Sequence, residues 1–146
     1  MTTVALDLDG TLLEKQPDTD YADVASLARL QPIDAAVQRA RGLRRKGVKL
    51  VVITGRTEEV RSVTELQVAV LLGTGVEVFM QSVWTTVMDL ENYKVQTLAA
   101  TGASLYVGDS AADRKASAKR GIRFVTAQAF ASGTVVQWDE LPQQQG

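Results

Sequence analysis

The 146-residue chain contains neither cysteine nor histidine. Without cysteine there is no disulfide framework and no Cys-based zinc site. Without histidine there is no His-dependent triad, no zincin site and no imidazole general base. Chemistry must therefore run on carboxylates, hydroxyls, lysine and a metal ion. No apolar run is long enough to span a bilayer, and no charged-then-apolar leader opens the sequence, so a cytoplasmic location with no membrane partner is expected. The formal net charge of -1 gives no global attraction to nucleic acid, which leaves only local patches for that purpose. What is present is ordinary for a globular protein, 45% apolar and 23% charged. The length suits one domain with a real core, expected over residues 1–140, with a frayed Gln-rich tail over 141–146.

The most informative stretch is the first, Val4-Ala5-Leu6-Asp7-Leu8-Asp9-Gly10-Thr11. A short apolar run closed by a turn signal reads as a buried strand delivering its last residues to a loop. Two aspartates one residue apart at such an end are costly beside an apolar sheet unless something cationic sits between them. Leu12 to Gln31 carries Pro17, four acidic residues and little periodicity; it reads as a flap with a short helix around Tyr21 to Leu30. From Pro32, Ile33, Val37, Ala40 and Leu43 recur at helical spacing up to Gly47. Arg39, Arg41, Arg44, Arg45 and Lys46 crowd that helix, as a solvated face or as an anionic-substrate patch.

Val48 to Thr54 is β-branched and apolar, a central strand, followed by Gly55-Arg56-Thr57 and a helix with Glu58 and Glu59 in its first turn. Val60, Val63, Leu66, Val70 and Leu71 are its expected buried stripe. Gly73 and Gly75 stop it. Val76 to Met80 reads as a third strand, Gln81 to Asp89 as irregular with Trp84 as anchor, and Leu90 to Ala100 as a helix carrying Lys94. Ser104 to Val107 is a fourth strand, closed by Gly108-Asp109-Ser110-Ala111-Ala112-Asp113; a helix to Gly121 and a strand Ile122 to Thr126 follow.

Strands alternating with helices imply right-handed crossovers and a parallel five-stranded sheet covered on both faces. All strands of such a sheet end on one edge, where ligands bind near the topological switch point. Asp7/Asp9/Thr11, Thr54/Gly55 and Asp109/Asp113 therefore converge, and Lys94 can reach the same edge. The set suits phosphoryl transfer. Asp7 and Asp109 are hard oxygen ligands for Mg²⁺. The Thr54 hydroxyl and the N–H groups near Gly55, at an expected helix start, are oxyanion donors, and Lys94 anchors phosphate and offsets repulsion among the acids.

Taken in order, Asp7-Leu-Asp9-Gly-Thr11, the apolar strand ending at Thr54, Lys94 and the Gly-Asp-x-x-x-Asp pattern of Gly108 to Asp113 resemble the signatures of the haloacid dehalogenase superfamily, most of whose members are phosphatases. The resemblance implies a Rossmann-like fold and Mg²⁺ as cofactor. It implies that Asp7 is the nucleophile that forms an aspartyl-phosphate, and that Asp9 is the acid–base whose backbone carbonyl also ligates the metal. It implies that Asp109 completes the metal set and that Asp113 supports the metal shell or Lys94. Gly108 and Ser110 are supporting residues, and Thr11, Gly55 and Arg56 are candidates for holding substrate. The Asp9 carboxylate argues for a phosphatase over a dehalogenase.

The segments between motifs leave no room for a cap domain. Capless members resemble enzymes that take bulky or polymeric substrates at an open site or borrow a lid from a second subunit, so a homo-oligomer is a candidate. Tyr21 to Pro32, the basic helix and Val78-Phe79-Met80 resemble the phosphatase domain of polynucleotide kinase–phosphatases, although Gln81 stands where an arginine is expected. The expected activity is hydrolysis of a phosphomonoester, on a nucleotide or polynucleotide 3′-phosphate. The alternatives are a small sugar or sugar-acid phosphate and, from another class, a catalytically silent phosphate-binding module.

Overall fold

The computed structural model describes residues 2–82 and 87–133. In chain order the elements are β1 (Thr3–Leu6), α1 (Val24–Ala28), α2 (Asp34–Arg45), β2 (Lys49–Thr57), α3 (Arg61–Leu72), β3 (Glu77–Gln81), α4 (Val87–Thr101), β4 (Leu105–Gly108), α5 (Ala111–Arg120), β5 (Arg123–Thr126) and α6 (Ala127–Ala131), with a 3-10 turn at Glu58–Val60. The strands form one sheet in the order β3-β2-β1-β4-β5, and every pairing is parallel.

Strand alternation divides the core in two. Val4, Leu6, Leu50, Val52, Leu105 and Val107 face the layer that holds α2, α3 and α6. Ala5, Val51, Ile53 and Tyr106 face the layer of α4 and α5, with Leu98 and Ala116. Both faces of the central strands are apolar because both are covered. The crossovers to β2 and β3 proceed one way from β1 and those to β4 and β5 the other, so the switch point lies between β1 and β4.

Several local expectations are corrected. The flap helix is only five residues, Val24–Ala28, N-capped by Asp23, which accepts from the Ser26 N–H at 3.0 Å. The flap closes at its base, where the Glu14 N–H donates to the Gln31 carbonyl at 2.8 Å and the Ile33 N–H to the Leu12 carbonyl at 2.8 Å. β2 runs through Gly55 and Arg56 to Thr57, so Gly55 sits within a strand and not at a helix start.

The buried face of α3 is Thr64, Val68, Leu71 and Leu72, whereas Leu66 and Val70 are 64% and 67% exposed. The rotation has a polar cause: Thr64 and Gln67 turn inward to meet a buried arginine, which carries Leu66 and Val70 outward. α4 begins at Val87, earlier than its apolar spacing suggests, and α6 carried no periodicity long enough to be read. Trp84 and the 141–146 tail lie outside the described residues.

Candidate active site

β1 and β4 end side by side, and their loops bring Asp7, Asp109 and Asp113 together. One carboxylate oxygen from each lies within 4.8 Å of the others. Asp7 follows directly on β1 and is tied to β4 by its N–H, which donates to the Val107 carbonyl at 2.9 Å. It is 6% exposed, and burial pushes its pKa well up; Lys94 opposes that shift, while Asp113 and Asp109 add to it. The Lys94 ammonium, 3% exposed, stands 3.7 Å from Asp7 Oδ1 and bonds Asp113 Oδ1. Burial pulls Lys94 down, but Asp7 and Asp113 together outweigh it and hold its pKa above the ordinary value.

The three carboxylates are not equivalent. Asp113 is fully buried, and both its oxygens are taken. Oδ1 accepts from Lys94 and from the Tyr106 hydroxyl at 2.7 Å; Oδ2 accepts from the N–H groups of Asp109 and Ser110, each at 3.1 Å. The Ser110 hydroxyl oxygen in turn accepts from the Asp113 N–H, which makes Ser110 and Asp113 a capping box for α5. Asp113 therefore orients Lys94 and the β4 loop, and has little capacity left for a cation.

Asp7 and Asp109 keep that capacity, and their donor chemistry fits Mg²⁺: hard oxygens at a strand edge, beside a loop that can add a backbone carbonyl. The fit is tight. A Cβ on Gly10, whose φ is +84°, would lie 2.0 Å from Asp109 Oδ2, so the Asp9-Gly10 backbone packs directly against that carboxylate. Gly108 serves the same end, since a Cβ there would meet Asp113 Oδ2 at 2.5 Å.

Asp9 reaches the same edge from the β1 loop. Its carboxylate is gripped by Arg56, Nε to Oδ2 at 2.9 Å and Nη2 to Oδ1 at 2.8 Å. Arg56 is 1% exposed and its other donors face Thr64 and Gln67, so an arginine expected to bind substrate is directed inward to Asp9. Thr54 is 1% exposed, and its hydroxyl accepts from the Arg56 N–H at 3.2 Å. The Gly55 carbonyl accepts from Gln81 Nε2 at 2.9 Å, and Thr11 is fully buried with its hydroxyl unpaired among the described residues.

Four contributors had no signal in the sequence. Lys15, from the flap, pairs with Asp109 Oδ2 at 2.9 Å. Tyr106 reads as one more apolar strand residue until its hydroxyl meets Asp113. Thr64 and Gln67 look like ordinary polar positions on a helix.

The basic helix lies elsewhere. A helix leading into a parallel strand ends at the edge opposite the site, and a helix leaving one returns to that same edge. There Arg41 donates to the carbonyls of Leu71 and Val70, at 2.6 and 3.0 Å, and Arg44 to those of Leu72, at 2.8 Å, and Thr74. Both cap the C-terminus of α3, and Arg39 packs over the Phe130 ring at 5.6 Å. Of the five residues read as a solvated face or an anionic-substrate patch, Arg41 and Arg44 are structural caps at the far edge.

No protein-family model and no curated protein matches the sequence. Solved structures do match in fold. The chain is similar to the D,D-heptose 1,7-bisphosphate phosphatase of B. bronchiseptica, crystallised with magnesium and phosphate, with a TM-score of 0.62 and 16% identity over 99% of this chain and 90% of that one. It is similar to a chain of the Pnkp1/Rnl/Hen1 RNA repair complex, with a TM-score of 0.70 and 15% identity over 86% of this chain and 42% of that one. A haloacid dehalogenase-superfamily hydrolase of subfamily IA from Geobacter sulfurreducens gives a TM-score of 0.61 at 16% identity, over 86% and 89%. At such identities the likeness establishes architecture. Among the described residues no inserted domain interrupts the five strands. Over its described residues the chain has the fold of the haloacid dehalogenase phosphatases, in a form without a cap domain.

Proposed function

We propose that the protein is a Mg²⁺-dependent phosphomonoester hydrolase that works through an aspartyl-phosphate on Asp7. The observation that carries this reading is a buried carboxylate at the switch point, 3.7 Å from a buried ammonium and beside Asp109, in a chain without histidine or cysteine. An Asp7 oxygen would bond to phosphorus as the ester P–O bond breaks, with Asp9 giving a proton to the leaving oxygen. Asp9 would then take a proton from the water whose oxygen displaces Asp7 from phosphorus. Lys94 would hold a phosphoryl oxygen and keep Asp7 oriented, and the Thr54 hydroxyl would donate to another. The Asp7 and Asp109 carboxylates, with the Asp9 carbonyl, would hold the metal. Once bound, Mg²⁺ would offset the charge on phosphate that otherwise repels an anionic nucleophile.

The substrate is a nucleotide or polynucleotide 3′-phosphate on one reading and a small sugar or sugar-acid phosphate on the other. The first is supported by the absent cap and by the likeness to a chain of an RNA repair complex. The second is favoured by the position of Arg41 and Arg44, which takes two cations of the basic helix away from the site edge. It is favoured also by the clefts flanking the site loops, of about 470 Å³ beside Gly10, Ile33 and Gln128 and about 300 Å³ beside Asp109, Arg114 and Lys115, which suit a small ligand.

Hydrolysis of p-nitrophenyl phosphate with and without Mg²⁺, in wild type and Asp7→Asn, tests the chemistry. Metal-dependent turnover that disappears in the variant is expected. No turnover on any phosphate ester would leave a phosphate-binding module in its place. A screen over 3′-phosphorylated oligonucleotides, nucleotides and sugar phosphates then decides the class.

A further inference from the structure

A buried chain of hydrogen bonds joins the flap to Asp9. Arg56 grips both Asp9 oxygens, and its remaining amino group, Nη1, donates to Thr64 Oγ1 at 3.0 Å and to Gln67 Oε1 at 2.6 Å. Four of the five guanidinium N–H groups are thereby engaged. Gln67 is used at both ends, because its Nε2 donates to the Leu27 carbonyl at 2.7 Å. The opposite amide orientation would set its NH₂ against the guanidinium, so the network leaves one assignment. Thr64 passes its own proton to the Val60 carbonyl at 2.7 Å, which leaves its oxygen free to accept from Arg56. Leu27 is the buried residue of α1, in the flap.

We infer that Gln67 is a positioning residue: through Arg56 it sets the orientation of the Asp9 carboxylate and makes that orientation depend on the seating of α1. This rests on the acid–base role proposed for Asp9. A bidentate fork fixes the plane of a carboxylate as well as its distance. The fork can do so only while its own plane is fixed, and Gln67 and Thr64 fix it. Gln67 is in turn anchored to a backbone carbonyl that belongs to the flap and not to the sheet. A small misorientation of a proton donor is costly when the leaving group is a basic alkoxide, and nearly harmless when it is p-nitrophenolate, which departs without a proton.

The test compares kcat/KM, which reads the steps up to release of the first product, for glycerol phosphate and for p-nitrophenyl phosphate. Gln67→Met, close to isosteric and unable to bond, should lower the alkyl value about ten-fold more than the aryl value. Arg56→Lys, which keeps the charge and loses the fork, should widen the same ratio. Gln67→Glu keeps the acceptor for Arg56 and loses the donor to Leu27; it should resemble Gln67→Met if the flap contributes. Wild-type behaviour in Gln67→Glu would overturn the link to α1. A merely structural role lowers the folded fraction, and with it both substrates equally, so an unchanged alkyl-to-aryl ratio in Gln67→Met would overturn the inference. Should Gln67→Met fail to fold, as read by circular dichroism, the other two variants carry the same comparison. A wild type inactive on both substrates would instead sink the phosphatase reading, and this inference with it.

Discussion

Asp7 and Asp113 are both buried aspartates a few ångströms apart, yet their surroundings push them in opposite directions. Asp7 has mainly burial, a lysine at 3.7 Å and other acids around it, so its charge is costly until a cation arrives. Asp7→Asn should abolish turnover by several decades, since no histidine or cysteine can substitute, and should cost little stability or even add some. Retention of more than about a tenth of wild-type turnover would point to direct attack by water. For Asp113, burial alone would raise the pKa, but Lys94, Tyr106 and the Ser110 N–H outweigh it and hold the carboxyl below the ordinary aspartate value. A carboxyl depressed in the folded state contributes stability above its unfolded pKa, and that contribution is lost as pH falls through the folded value. Asp113→Asn should therefore lower stability by about 3 kcal/mol at pH 7, through the charge left on Lys94. The gap to wild type should narrow toward pH ~3. Urea denaturation at the two pH values measures it; a gap that does not shrink with acid would mean that Asp113 is not held ionised by these partners.

At the scale of elements, the opposite roles of two cationic clusters follow from where helices end. α2 runs into β2 and α3 runs out of it, so their C-termini meet at the edge away from the site. Arg44→Ala should cost about 1–2 kcal/mol in urea denaturation by stripping the last carbonyls of α3 of their donors. It should leave p-nitrophenyl phosphate turnover unchanged. If a 3′-phosphorylated oligonucleotide proves to be a substrate, its salt dependence should be the same in an Arg44→Ala, Arg45→Ala double variant; a shallower slope would return these residues to the substrate path. Within the flap, Lys15 places an ammonium 2.9 Å from Asp109 Oδ2, where it would compete with the proposed cation for that oxygen. Lys15→Met should tighten Mg²⁺ binding a few-fold by titration calorimetry, and weaker binding would mean that the lysine assists the cation site.

At the scale of the whole molecule, two loops from strands adjacent in the sheet but about a hundred residues apart in the chain must hold like charges together. On the proposed function, metal binding would therefore be a stability term. A cation held only by the native state adds RT ln(1 + [L]/Kd), about 2.7 kcal/mol at a hundred times Kd. Mg²⁺ should accordingly raise the melting temperature, and Gly10→Ala should remove that rise by driving a Cβ into Asp109. Ca²⁺ should raise it too without supporting turnover, because its larger coordination sphere admits bidentate carboxylates and takes Asp7 out of line. A melting temperature indifferent to Mg²⁺ would count against the cation site.

The sequence by itself determined the parallel sheet, the order of its motifs and the convergence of Asp7, Asp109, Asp113 and Lys94. Apolar runs, glycine stops and alternating elements are local signals, and the right-handed crossover rule turns them into one site edge. Tertiary structure alone decided what each side chain does with its polar atoms. Arg56 turns to Asp9 and not to solvent, Thr64 and Gln67 rotate α3 inward against its apolar spacing, Tyr106 spends its hydroxyl on Asp113, and Arg41 and Arg44 cap a neighbouring helix. Each of these is a buried or half-buried donor or acceptor finding a partner between 7 and 47 positions away. Hydrophobic periodicity records which face of an element is covered, and carries no information about which distant polar group will satisfy a buried one.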